Sequence, residues 1–165
     1  MLKRLWLILV VLVACVGCDQ STKFVAKTYL PETERVSLLG GTVRLEIARN
    51  YGAFLSLGAS IPQTWRTGLF SAGVAVVLVA LFAYALLSNS SNLFVVPSLG
   101  MIVGGGASNL IDRLSYDGYV LDFLNVGVGP VRTGIFNVAD VCIIVGVTLL
   151  IFHEWLYKVT GRRDG

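Results

Sequence analysis

The chain has 165 residues, 55% of them apolar and only 14% charged, with a mean hydropathy of +0.76 and a formal net charge of +3. A globular chain carries about 25% charged residues, so this one lacks the polar surface to face water all round and reads as a membrane protein. Its basic residues are scattered, without the clustered stripe and interleaved aromatics of a nucleic-acid groove, which sets nucleic acid aside as a partner.

The first apolar run follows the basic start Met1-Leu2-Lys3-Arg4 and reaches Leu12-Val13-Ala14-Cys15. That ending has the form of a bacterial lipoprotein signal peptide, in which case the run is removed and Cys15 carries a lipid. The other reading is a helix kept in the mature chain. From Leu5 to Cys18 the run is shorter than the roughly 20 residues a span needs. Asp19 and Lys23 stand at i and i+4, where a helix brings opposite charges together, and their pairing carries the helix over about residues 5–29. Cutting at Cys15 would remove half of that helix and strand Asp19 near a new terminus, so the retained helix is preferred. Cys15 and Cys18 have the spacing of a redox pair. Together with Cys142, however, both lie in apolar runs, where cysteine behaves as a small hydrophobe. No metal site or cofactor is expected.

After this helix, Val43-Arg44-Leu45-Glu46-Ile47 alternates apolar and polar residues, the pattern of a strand, and glycines at 40, 41, 52 and 58 supply turns. A small sheet over about residues 36–60 lying on the membrane surface is predicted, with Trp65 anchoring the next helix at the headgroups. Three further apolar runs, over about 67–87, 92–111 and 135–157, are each long enough to span. Four helices put both termini on one side. Lys3 and Arg4 before the first and Lys158, Arg162 and Arg163 after the last favour the cytoplasm for both. Residues 30–66 and 112–134 then lie outside. His153, beside Glu154 and Trp155 at the end of the last run, reads as interfacial rather than as a metal ligand.

Acids at membrane depth are costly, about 2.5 to 3.5 kcal/mol for an Asp at a helix centre, and each needs a reason. Asp140 lies inside the last apolar run, with Asn137 three positions earlier on the same face. Asp112 and Arg113 close the third run, with Asn109 one turn back. They read either as an interfacial charge pair that ends the helix or as a substrate contact. Asp122 is bracketed by Val120, Leu121, Phe123 and Leu124, in a stretch too short to span and too apolar for a free loop. Such a stretch, within an interfacial segment of about 112–134, lies along the interface or re-enters, tolerated only where protein covers its backbone. Asp122 and Asp140 then share a depth near the outer surface. Two adjacent carboxylates cannot both ionise cheaply, so they share a proton. Such a pair can activate a water against an amide carbonyl and protonate the leaving nitrogen without a metal. The plainer alternative has Asp140 bonding a neighbouring helix and Asp122 capping a turn.

Five separated segments, "DQSTK" at 19–23, "RNYGAF" at 49–54, "GGGASNLIDR" at 104–113, "VLDF" at 120–123 and "FNVAD" at 136–140, together resemble the lipoprotein signal peptidase (signal peptidase II) family, the intramembrane aspartyl proteases of bacteria. The resemblance implies an α-helical integral membrane protein, one domain over 1–165, with four transmembrane helices and a small extracytoplasmic β-cradle. It implies Asp122 and Asp140 as the catalytic dyad, and Asn50, Asn109, Arg113 and Asn137 lining the substrate site. Asp19 and Lys23 are implied as support for the first helix, with Asp112 beside them in a structural role. The implied reaction removes a prolipoprotein signal peptide just before its diacylglyceryl-modified cysteine, in the bacterial inner membrane near its outer face. Prolipoproteins and membrane lipids are the expected partners, and a monomer is expected. The chain departs from the family pattern at Phe54 and Leu55, where a second alanine is common after Ala53, and at Ser108, where glycine is common. A small proton-linked transporter or channel subunit, with Asp140 titrating along a pathway, is the alternative, weakened by the lack of internal repeats.

Overall fold

The computed structural model describes residues 2–52, 65, 68–87 and 94–161. Among them run helix α1 (Leu2–Tyr29), strands β1 (Val36–Leu38) and β2 (Val43–Asn50), a π-helical turn (Leu69–Gly73) leading into α2 (Val74–Leu87), α3 (Val95–Ser115), strands β3 (Val120–Val128) and β4 (Val131–Arg132), and α4 (Val138–Thr160). Phe54 and Leu55, and the part of the predicted sheet beyond residue 52, lie outside the described residues.

Helix α3 is the hub, packing against α1, α2 and α4. Its glycines make this possible. A Cβ on Gly105 would run into the carbonyl oxygen of Ala139, and one on Gly104 would lie 2.9 Å from Cys15 Cβ, so α4 and α1 pack directly on the α3 backbone. Small residues are what let helices in lipid approach this closely. Cys15 is buried in the middle of α1 against that surface.

The strands form one antiparallel sheet in the order β1-β2-β3-β4, with Val36 opposite Leu45, Arg44 opposite Asn125 and Ala48 opposite Asp122. The predicted segment 112–134 is therefore divided. Its first residues extend α3 by a turn to Ser115, and the apolar stretch around Asp122 is the central strand β3 rather than a re-entrant loop. Pairing with β2 satisfies its backbone, and side chains from Val120 to Phe123 are all buried. A strand covered on both faces reads as a continuous apolar run, which is why alternation gave no signal here.

The polarity of the molecule is inverted. Its most completely buried side chains include Asp19, Asp112, Asp122, Asn137, Ser98 and Ser108, whereas Trp6, Val13, Phe24, Val79, Tyr84 and Ile151 are exposed. Helix α4, at 23 residues with mean hydropathy 1.8, is long and apolar enough to cross a membrane.

Candidate active site

Three elements converge at the outer end of the bundle, here meaning the end that carries the sheet. Asn137 caps α4 in a reciprocal box: its side chain accepts from Asp140 N at 2.9 Å, and Asp140 Oδ2 accepts from Asn137 N at 3.3 Å. Asp140 thus sits in the first turn of α4, closer to the helix end than its place within the apolar run 135–157 implied. Because Asn137 Oδ1 is occupied as an acceptor, its amide nitrogen must point away. It donates to Asp122 Oδ1 at 2.6 Å and to Asn109 Oδ1 at 3.1 Å.

The same logic fixes the other two asparagines, since an amide has one acceptor end and one donor end. Asn109 Oδ1 accepts from Asn137 and from Lys23 Nζ at 3.1 Å, which turns its nitrogen onto Asp140 Oδ1 at 2.9 Å. Asn50 Oδ1 accepts from Gly52 N at 3.0 Å, which turns its nitrogen onto Asp122 Oδ2 at 2.9 Å. Three asparagines from three elements therefore aim N–H groups at two buried carboxylates. The carboxylates are 2% and 7% exposed for Asp122 and Asp140.

Beneath them lies an ionic cluster. Lys23 Nζ meets Asp19 Oδ2 at 2.6 Å, Asp112 Oδ2 at 2.8 Å and Asn109 Oδ1, one acceptor for each ammonium proton. Asp19 Oδ1 accepts from Ala139 N, a donor at the start of α4, at 2.8 Å, and Asp112 Oδ2 accepts from Leu121 N at 3.0 Å. The cluster thereby ties α1, α3, α4 and β3 together. Asp112 pairs with Lys23 on α1, a partner that neither of the two readings of Asp112 and Arg113 named. Arg113 donates from Nη2 to Gly52 O at 2.8 Å, holding the chain just past Asn50.

All nine residues singled out from the sequence thus meet in one network. Gln20, which was not singled out, and Ser108, named only as a departure from the family pattern, join it. Gln20 donates to Asp112 Oδ1 at 2.8 Å and to Ser108 Oγ at 3.0 Å, and Ser108 donates to Asp19 Oδ2 at 2.7 Å. The departure at Ser108 is a hydroxyl woven into the cluster, and an amide in an apolar helix three positions before Lys23 was the available signal for Gln20.

Burial pushes Asp122 up to about 7, and the charge of Asp140 adds to the rise. The hydrogen bonds from Asn50 and Asn137 and the charge of Lys23 pull the other way. Asp122 is therefore held well above the ordinary carboxylate range. Among the described residues no cluster of three or more metal-ligating side chains occurs. An apolar cavity of about 410 Å³ lies between the outer part of α1 and the sheet, lined by Val25, Ala26, Tyr29, Leu45 and Phe123, the last next to Asp122.

The sequence signature of the family described as Signal peptidase (SPase) II matches residues 11–156. This chain belongs to the signal peptidase II family. Relatives named lipoprotein signal peptidase include those of Mycobacterium tuberculosis H37Rv, 38% identical over 98% of this chain and 78% of the relative, and of Francisella tularensis subsp. novicida, 34% identical over 90% of each. The fold is similar to that of a solved bacterial membrane enzyme, with a TM-score of 0.79 at 25% identity over 96% of this chain and 92% of that one. The chain is accordingly a signal peptidase II-type enzyme of the inner membrane, mostly helical with a small antiparallel sheet, and the transporter alternative is set aside.

Proposed function

We propose that this signal peptidase II cleaves prolipoproteins just before the diacylglyceryl-modified cysteine with Asp122 and Asp140 as its catalytic dyad. The observation that carries this reading is the convergence on Asn137: its amide bonds Asp122, its backbone N–H and side chain box Asp140, and both acids are buried together. With one shared proton, the ionised carboxylate takes a proton from water as the hydroxyl adds to the scissile carbonyl carbon. The protonated carboxyl gives its proton to the leaving nitrogen as the C–N bond breaks. Acid and carboxylate have exchanged roles at the end, and the sum is amide plus water giving acid plus amine. Asn50, Asn109 and Asn137 hold the acids and line the substrate site. Arg113 shapes its wall by fixing the chain at Gly52. Asp19, Lys23 and Asp112 form the support.

The proposed placement has the single domain 1–165 crossing the membrane four times, with both termini cytoplasmic and the dyad near the outer face. Helices of 28, 21 and 23 residues for α1, α3 and α4 suit a hydrocarbon core of about 30 Å. Exposed apolar side chains on α1, α2 and α4 suit contact with lipid. Lys3, Arg4 and Lys158 flank the ends assigned to the cytoplasm. The cavity beside Phe123 suits an acyl chain of the diacylglyceryl group. The enzyme works as a monomer, without cofactor.

The test is cleavage of a diacylglyceryl-modified prolipoprotein in micelles, with chelator present, by the native chain, Asp122→Asn and Asp140→Asn. Cleavage that persists in chelator and is lost in both variants is expected. Normal turnover by either folded variant refutes the dyad.

A further inference from the structure

The end of the sheet away from Asp122 has a composition of its own. The turn Leu39–Gly41 joins β1 to β2, and the turn at Gly129 and Pro130 joins β3 to β4. The two lie side by side, because Gly127 N donates to Thr42 O at 2.9 Å. Leu38, Leu39, Val126, Val128 and Val131 are all exposed there, Leu39, Val128 and Val131 over three quarters of their surface or more. Leu39 is held at a φ of +50°, which costs a leucine energy, so the turn's own geometry does not ask for it.

Directly behind this apolar tip stands a band of positive charge. Arg132 ties the two turns together: Nη1 donates to Gly41 O at 2.9 Å, Nη2 to Thr42 O at 3.2 Å and Nε to Asn125 Oδ1. Its remaining donors go to Gly127 O and Asn125 O, so all five reach uncharged oxygens and none of them offsets its charge. Arg44 lies opposite Asn125, and its buried Nε has no hydrogen-bond partner among the described residues. Arg35 completes the band and occupies Glu46 with two bonds of 2.8 and 2.9 Å. Among the described residues no acid pairs with Arg44 or Arg132. Partial desolvation, then the charges of Arg44 and Arg35, hold Arg132 below the ordinary range of arginine, with Glu46 opposing them. Three arginines and one acid thus share one field, with two positive charges in excess.

We infer that this end of the sheet is a lipid anchor: its two turns insert into the leaflet on the sheet's side, and Arg44 receives the phosphate of an anionic phospholipid. Arg132 adds its charge without giving up a donor. The dimensions agree. Arg44 is level with Asn125, three residues from Val128, or about 10 Å along a strand. An interfacial element buries its apolar part about 5 to 10 Å deep, so a submerged tip brings the arginines to the phosphates. A zwitterionic headgroup carries a cation that the same band repels, which favours an anionic one. Strand β3 runs from Val128 back to Asp122, so seating the tip also sets the depth of that acid.

The inference goes beyond the cleavage reaction and rests on the proposed membrane placement. The experiment adds a tryptophan at the tip, Val131→Trp, in vesicles of phosphatidylcholine doped with brominated phosphatidylglycerol or brominated phosphatidylcholine, with the emission of the native enzyme subtracted. Brominated phosphatidylglycerol is expected to quench more strongly at equal content. With Arg44→Gln added, about fivefold more of it should be needed for half quenching, and Arg44→Lys should restore the native response. Added salt, which needs no substitution, should weaken the preference in the same direction. No quenching by either lipid overturns the anchor. Equal quenching by both, unmoved by Arg44→Gln or by salt, overturns the anionic headgroup. Quenching that follows the enzyme-to-lipid ratio instead of lipid type makes a second copy of the chain the occupant and overturns the lipid. Relief by inorganic phosphate beyond that by chloride of equal ionic strength makes a soluble anion the ligand and overturns it too. With brominated lipid confined to one leaflet, quenching only from the leaflet beside the termini would fault the placement and leave the anchor standing.

Discussion

Asn50→Ala isolates one of the forces that set the proton affinity of the dyad. Asn50 reaches Asp122 Oδ2 at 2.9 Å with its amide nitrogen, locked in that orientation by Gly52 N. A hydrogen bond to a charged group contributes about 1.5 to 3 kcal/mol, and one pKa unit corresponds to about 1.4 kcal/mol. Removing the donor favours the protonated carboxyl, so Asp122 should rise by about one to two units from its native position near 7. If the reaction needs one proton on the dyad, kcat/KM falls as pH rises through that value. The alkaline limb of the profile should therefore lie near pH 7 in the native enzyme and move upward by about one to two units in Asn50→Ala. Folding carries the same sign. The folded value of Asp122 lies above its ordinary 3.8, so its contribution to stability is present below 3.8 and is lost as pH rises towards 7. The assay is kcat/KM against pH in detergent micelles, with thermal unfolding recorded across the same range. An alkaline limb that stays in place or moves down in a folded Asn50→Ala enzyme would refute the argument that this amide stabilises the ionised form.

Other perturbations probe the frame that holds the acids. Lys23→Met leaves Asp19 and Asp112 buried without their cation, and breaking a buried pair in this way costs about 3 to 5 kcal/mol. A sharply lowered unfolding temperature in detergent is expected, partly restored by adding Asp112→Asn. Gly105→Ala drives a methyl into the carbonyl oxygen of Ala139, so α4 must move away from α3. Activity should fall more than tenfold, because Asp140 and Asn109 ride on the two helices being separated. Gly17→Ala, which meets nothing within 4 Å, is the control and should be silent.

What the sequence disclosed depended on the kind of signal each residue left. Asp140 and Lys23 were legible because a charge within an apolar run has few readings, and the i and i+4 spacing of Asp19 and Lys23 already placed them together. The stretch around Asp122 was not legible as a strand because a strand covered on both faces has no alternation. Its apolar letters fit a re-entrant segment equally well until the pairing with β2 was known. Helix ends were also displaced: α3 runs on to Ser115 and α4 starts at Val138, because capping by Asn137 and burial of Asp112 outweigh the hydropathy that marked the edges. The partner of Asp112 was hidden for a different reason. Nearest-neighbour charge pairing suggested Arg113, yet adjacent residues on a helix point about 100° apart, and the two serve different elements: Asp112 faces Lys23 on α1 while Arg113 faces the end of β2.

That division explains how the site stays ordered despite its charge. Each buried acid is held by groups from other elements: Asp19 by Ala139 N, Asp112 by Leu121 N, Asp122 by Asn50 and Asn137, and Asp140 by Asn109. None of α1, α3, α4, β2 and β3 can therefore shift without leaving a carboxylate short of a donor, and an unsatisfied buried charge is among the costliest defects a fold can carry. The arrangement makes geometry the condition of stability at the one place where the chemistry needs it fixed. In lipid, where apolar packing between helices gains little over contact with acyl chains, the polar network rather than an apolar core is what specifies how these helices and the sheet come together.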